Sequence, residues 1–408
     1  MAAPPSSVAP RRALVLVLAL AMLGLAPPGP AVAAPTGYRV VSTEALGPGA
    51  EHQTLRRDDP PEDVHVVRLV PGMAGRLLPV LGKEVLSGPS SGRETTSSMC
   101  ARVRCVAAVN GDFFDAAGRS VGAMVSAGEL LTTPGPEHIL LRIDGRGRPR
   151  LRPGIEWSLR VATAGGQAVA AQAVNRPIAG EGVVLYSGRW GPATPADPAA
   201  TEISLRLPPS SGILPSGASP VQVVAAQAGG NLPIAGGHVV LSGRGAGAHA
   251  VADLARRASA GVLHVDVAGI VAAIGGSPRL LENGKPAYPA EVNDSFTQGR
   301  HPRTVVGVTP AGEILLVTAD GRGASAGLTL PEAAALLAGL GAVDALNLDG
   351  GGSTTFVAAG SVRNVPSDGH ERPVASALTV MAGGPPDPLT SLLAQVTDAL
   401  EAVLQPPR

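Results

Sequence analysis

Four places in this sequence set acids, amides, glycines or a guanidinium at the edge of an apolar run. The most distinctive is Asn347-Leu348-Asp349-Gly350-Gly351-Gly352-Ser353-Thr354-Thr355, which follows Val343-Asp344-Ala345-Leu346. Three consecutive glycines let a backbone approach a ligand closely, with N–H groups free to face an anion. Asp349 at that edge is placed to act as nucleophile or general base. Upstream, Cys105-Val106-Ala107-Ala108-Val109 runs into Asn110-Gly111-Asp112-Phe113-Phe114-Asp115, where Asp112 offers a second carboxylate. The two phenylalanines there fit core plugs or a sugar-facing wall. Ile270-Val271-Ala272-Ala273-Ile274 ends in Gly275-Gly276-Ser277, and His301-Pro302-Arg303 opens the run Thr304-Val305-Val306-Gly307-Val308. The planar fork of Arg303 suits phosphate, and amides such as Asn110 and Asn347 suit sugar hydroxyls. That inventory fits a glycosyl phosphate better than a plain glycan. Two other phosphate and acyl-transfer motifs fail. No lysine follows the glycines as a Walker loop requires, and Gly351-Gly352-Ser353-Thr354-Thr355 lacks the last glycine of a nucleophile elbow.

The elements that position these groups read as short strands joined by turns. Leu328 to Gly341 reads as a helix, with Thr329 and Glu332 at capping-box spacing, Pro331 in the first turn and Gly341 at the stop. It feeds the strand that ends on Asp349. A second helix is expected around Ala250 to Arg257. Tyr38 to Leu86 and Gly122 to Leu207 alternate apolar and polar residues, and Asp144-Gly145 marks a hairpin-type turn. The expected fold is α+β: a mixed, mostly β-rich sheet core with flanking helices and the active site on strand-end loops. If the four junctions share one sheet, their loops converge on one cleft.

Composition bounds the rest. A chain of 408 residues has room for about two or three domains. Its formal net charge is zero, which gives no electrostatic footprint for nucleic acid. Residues 1–33 read as an export signal: Arg11 and Arg12 precede the apolar run Ala13 to Ala26, and Ala31-Val32-Ala33 offers a small-x-small cleavage site. The run is short for a membrane span, and no other segment is long and apolar enough, so a secreted, extracytoplasmic protein is expected. In that compartment Cys100 and Cys105 form a plausible local disulfide, and two thiols with no nearby histidine pair make a poor zinc site. Tyr38, Tyr186, Trp157 and Trp190 suit core or rim packing more than sugar stacking.

Five stretches in this order resemble the phosphodiester glycosidase family: Val109-Asn110-Gly111-Asp112-Phe113-Phe114, Gly275-Gly276-Ser277-Pro278-Arg279-Leu280-Leu281, Pro302-Arg303-Thr304-Val305-Val306-Gly307, Asn347 to Ser353, and Asn364-Val365-Pro366. Two departures stand out, Asp112 and Ser277, where glycine is frequent in the family. The resemblance implies a catalytic domain over 101–382, after an N-terminal β-rich segment at 34–100 and before a Pro-rich linker and tail at 383–408. It implies hydrolysis between an anomeric carbon and a phosphodiester oxygen, on envelope or extracellular phosphoglycans. Asp349 and Arg303 would be catalytic. Asn110, Asp112, Gly276, Asn347, Gly350, Gly351, Gly352, Ser353, Thr354 and Asn364 would bind the substrate.

Two alternatives belong to other classes: a metal-assisted phosphodiesterase that cuts P–O, and a non-catalytic module that binds envelope glycans. Asp349, Asp320 and Asn347 are candidate oxygen ligands for a divalent cation, calcium or magnesium, although no EF-hand-like spacing is present. The sugar, the aglycone phosphate and the oligomeric state are not written in the sequence.

Overall fold

A computed structural model describes residues 34–73, 76–87, 92–133, 138–209, 214, 216–288 and 294–383. The export signal expected at 1–33 and the tail beyond Gly383 lie outside the described residues.

The fold is mostly β, with four sheets and four α-helices among the described residues. The first sheet has eight strands in the order Arg39–Ala45, Ala50–Asp58, Pro61–Leu69, Ile314–Ala319, Arg303–Val308, Asp344–Asn347, Arg279–Glu282 and Lys285–Pro286. All its pairings are antiparallel, so the N-terminal strands join the strands that carry Arg303 and Asn347.

This sheet is covered on both faces, which explains its unbroken apolar runs. The two-residue period divides each strand between two cores. In Ile314–Ala319, Ile314 and Leu316 face one core, while Leu315, Val317 and Ala319 face the other. The second of these cores is closed by the helix Leu330–Gly339 through Leu330, Ala333, Leu336 and Leu337. That helix starts as the sequence predicts. Thr329 Oγ1 accepts from Glu332 N at 3.2 Å, and the Glu332 carboxylate accepts from Thr329 N at 2.9 Å.

The opposite face packs on two five-stranded sheets. One runs Ser361–Val362, Phe356–Ala358, Cys105–Asn110, Ser376–Met381, Leu77–Leu81. The other runs Glu129–Thr132, Met124–Ser126, Ile270–Gly276, Ile139–Asp144, Pro149–Pro153. This second small sheet serves two cores: Met124, Ala272 and Ile274 point into the first, Val125 and Ala273 into a third. The third core belongs to the remaining eight-stranded sheet, whose helix Ala246–Arg257 contributes Val251 and Leu254. Cys100 and Cys105 are disulfide-bonded across the turn from the helix Thr96–Val103 into the strand Cys105–Asn110. No helix of the described residues is long and apolar enough to cross a membrane.

Candidate active site

The four junctions meet at the turn after Asn347, but they arrive from three sheets and not from one. Asp349 N donates to the Gly111 carbonyl at 3.1 Å, and Asn110 Nδ2 donates to the Asp349 carbonyl at 2.6 Å. Leu348 N reaches Thr304 O at 2.9 Å and Gly351 N reaches Pro302 O at 2.8 Å. Ser277 N donates to Asn347 O at 2.8 Å, and Asn347 Nδ2 returns a bond to Ser277 O at 2.7 Å. Buried backbone groups need partners, and here each motif supplies partners for another.

Several residues expected to face a ligand are turned inward. Asn110 is fully buried, with Oδ1 accepting from Thr304 Oγ1 at 2.6 Å and Thr355 N at 3.1 Å. Asn364 Oδ1 accepts from Phe356 N at 2.7 Å, while its Nδ2 donates to Asp320 Oδ1 and Thr354 O, both at 3.2 Å. Thr354 is buried and accepts from Thr304 Oγ1 at 3.4 Å. These side chains hold the frame of the turn. Asn347 differs, because its Oδ1 is buried without a hydrogen-bond partner.

Arg303 is also turned inward. It is 2% exposed, donates from Nε to Leu328 O at 2.9 Å, and donates from Nη2 to Phe296 O at 2.6 Å and Gly299 O at 3.1 Å. Its Cζ lies 5.2 Å from the Phe296 ring centroid. Burial pushes its pKa down to about 10, helped by repulsion from Arg322. The guanidinium clamps the segment leading from the short helix Ser295–Gln298 to Pro302, and that is a positioning role.

The cations at the glycine turn are two arginines outside the sequence motifs, Arg322 and Arg372. Gly351 adopts φ +61°, and a Cβ there would meet the Arg322 guanidinium at 3.2 Å. At Gly352 a Cβ would collide with Arg372 Nη2 and the Asp368 carboxylate. At Gly350 it would lie 2.9 Å from the Pro302 carbonyl. The three glycines therefore admit two guanidiniums and one carbonyl. Arg372 donates from Nε to Asp368 at 2.9 Å, whereas exposed Arg322 donates to His301 Nδ1 at 3.1 Å. With Nδ1 accepting, the imidazole proton sits on Nε2 and bonds to Ser295 O at 2.8 Å. Four amides of the turn are engaged internally: Gly350 N with Asp349 Oδ1, Gly351 N with Pro302 O, Ser353 N with Gly350 O, and Thr354 N with Gly351 O. The only sequence signal for the two arginines was their place in loops beside Gly321 and Pro373.

Two carboxyls feel each other here. Asp349 is half-buried, and burial raises its pKa against the pull of the Ser353 hydroxyl, the Gly350 N–H and Arg372. The Ser353 hydroxyl is near enough to favour the charged carboxylate but has no partner at full hydrogen-bond geometry. Asp112 is 1% exposed and lies between Gly122 and Gly275, whose Cβ atoms would sit 2.5 Å and 2.6 Å from its Oδ2. Gly276 is needed for a similar reason, since its Cβ would lie 2.5 Å from Asn347 O. Asp112 accepts from Phe113 N at 2.8 Å, Gly122 N at 2.6 Å and Ser120 Oγ at 3.2 Å. Burial still pushes it up to about 6, and Asp349 adds to the rise.

A carboxyl whose folded pKa is raised stabilises the fold below its unfolded value, near 4, and loses that contribution as pH rises through about 6. His65, pushed down to about 4 by burial, gives the opposite slope over an overlapping window. Comparing wild type with Asp112→Asn in thermal melts from pH 4 to 8 isolates Asp112. The stability advantage of wild type should shrink between about pH 4 and 6 and then level off. A difference independent of pH would show that this carboxyl titrates normally.

Of the candidate cation ligands, Asp320 engages Asn364 Nδ2 and Val365 N, and among the described residues no three His, Cys, Asp or Glu groups are placed to share a metal ion. Phe114 packs beside the buried Met99, whereas Phe113 meets Phe296 edge-on at 6.3 Å. Phe296 is 41% exposed, so this pair borders solvent beside the turn.

Residues 210–381 match the family described as phosphodiester glycosidase. A stretch of 66 residues is 47% identical to the mouse N-acetylglucosamine-1-phosphodiester alpha-N-acetylglucosaminidase, covering 16% of this chain and 13% of that enzyme. The fold is similar to that of a hypothetical protein from Synechocystis, with a TM-score of 0.61 at 22% identity over 85% of this chain and 68% of that one. It is also similar to a candidate exported protein from Burkholderia pseudomallei, with a TM-score of 0.56 at 27% identity over 79% and 74% of the two chains. The Cys100–Cys105 disulfide is consistent with an extracytoplasmic location. The matched segment contains the Gly275, Arg303, Asn347 and Asn364 motifs, and over those residues the chain is similar to the phosphodiester glycosidase family.

Proposed function

We propose that this protein is a secreted hydrolase that cleaves sugar-1-phosphate diesters, acting on envelope or extracellular phosphoglycans. The observation that carries this reading is the half-buried Asp349 carboxylate on a glycine turn that admits Arg322 and Arg372. The bond broken is the one from the anomeric carbon to the bridging oxygen. That oxygen and its electron pair leave with the phosphomonoester, and a water oxygen ends on the sugar. Because such a leaving group is far less basic than an alkoxide, a strong general acid matters less than it does in ordinary glycosidases. Neutralising the phosphate matters more, and Arg322 and Arg372 are the cations placed to do it. Asp349 attacks the anomeric carbon or activates the water that does. Arg303 and Asn110 position the turn, and Phe113 with Phe296 offers an aromatic border for the sugar ring.

Hydrolysis in oxygen-18 water tests the bond assignment. Label recovered in the sugar is the expected result. Label in the phosphate would replace this reading with a P–O-cleaving phosphodiesterase, and glycan binding with no turnover of any sugar-phosphate diester would replace it with a binding module.

A further inference from the structure

A cavity of about 260 Å3 lies beyond Asp112, bounded by Asp115, Arg119, Ser120, Thr132, Arg176 and Trp190 among others. None of these six belongs to the motifs that define the family resemblance. Its volume falls just below the roughly 300–1,000 Å3 typical of sites for drug-sized ligands, which suits a single sugar ring.

The charges on its walls do not balance. Arg119 is matched by Asp115, with Nε to Oδ2 at 2.8 Å and Nη2 to Oδ2 at 2.7 Å. Arg176 bonds to neutral carbonyls instead, from Nε to Thr133 O at 2.8 Å and from Nη2 to Val121 O at 2.7 Å. The carboxylate that acts on Arg176 most strongly, Asp112, lies behind the Ser120–Gly122 wall and is engaged there by three hydrogen bonds. A half-buried guanidinium bordering a cavity is suited to an anion. The indole of Trp190 forms another wall, packed on Tyr186 at 5.1 Å between ring centroids, with Arg119 Cζ 5.9 Å from its own centroid. An aromatic wall beside two guanidiniums favours a ring that carries negative charge over a bare ion.

We propose that this cavity is a second binding site, for a monosaccharide bearing one anionic group, with Arg176 and Arg119 at the anion and Trp190 beside the ring. Asp349, Arg322 and Arg372 are not among the cavity's lining residues, and its occupancy is read without turnover. Trp157 and Trp190 are the two tryptophans of the chain, so intrinsic fluorescence reports directly on the cavity. The full chain is titrated with glucose 6-phosphate, glucuronate, glucose and inorganic phosphate. A saturable change is expected with glucose 6-phosphate or glucuronate, absent in Trp190→Phe, with affinity at least about tenfold weaker in Arg119→Gln and Arg176→Gln. Arg176 also holds the surrounding loops, so the half-exposed Arg119 carries the test if the Arg176 variant does not fold. An equal response to neutral glucose or to phosphate alone overturns the proposal, as does no saturable response to either anionic sugar, or unchanged affinity in Arg119→Gln. Asp349→Asn should bind these probes as wild type does, so a failure of the hydrolase reading leaves this result intact.

Discussion

Asp349→Asn should remove hydrolysis of a sugar-phosphate diester, lowering kcat by about a thousandfold or more while the protein still folds. The substitution is nearly isosteric. The amide oxygen can keep the bond from Gly350 N, now 2.9 Å to Oδ1, so the turn has no reason to open. What is lost is the negative charge, which in wild type is held against burial by Ser353, the Gly350 N–H and Arg372. Turnover and thermal melting of the same preparation separate chemistry from folding. Near wild-type kcat in the variant would take Asp349 out of the mechanism.

Arg303→Ala should act in the opposite way, through stability. Removing the side chain leaves the carbonyls of Phe296 and Gly299 without a protein donor, while Leu328 O keeps the bond from His301 N at 3.2 Å. At about 1 kcal/mol for each of these two part-buried acceptors, the low end of the range for unsatisfied groups, a loss of about 2 kcal/mol is expected. Denaturant unfolding measures it directly. Arg322→Ala is the contrast, because an exposed side chain bonded to His301 should change stability by about 0.5 kcal/mol or less. Its effect should fall on kcat/KM for the diester, through the lost phosphate contact. If Arg303→Ala melted like wild type and lost activity instead, Arg303 would be the phosphate ligand and the two arginines at the glycine turn would not.

The two variants separate roles that look alike in a sequence. Arg303 stands at the start of an apolar strand, as Arg322 and Arg372 stand in loops, and all three have the same chemistry. Only the fold shows that one guanidinium is enclosed by main-chain carbonyls and that the others reach the glycines. The same holds for the amides. Asn110 is suited to hydroxyls by type, yet its oxygen and nitrogen are engaged by Thr304, Thr355 and Asp349.

Much was legible in the sequence because it depends on neighbours along the chain. The helix Leu330–Gly339 with its capping box, the Ile139–Asp144 hairpin strand and the local disulfide follow from spacing that a few residues settle. The acid on its glycine turn was legible for the same reason, since a strand running into Asp-Gly-Gly-Gly is a local pattern. The tertiary structure decided why the glycines are there. They make room for Arg322, Arg372 and the Pro302 carbonyl, groups contributed by distant loops that no window around Asn347 to Thr355 contains. It also decided that the junctions meet from three sheets, because strand pairing over long sequence distances is governed by which faces must be buried and leaves no mark in any one segment.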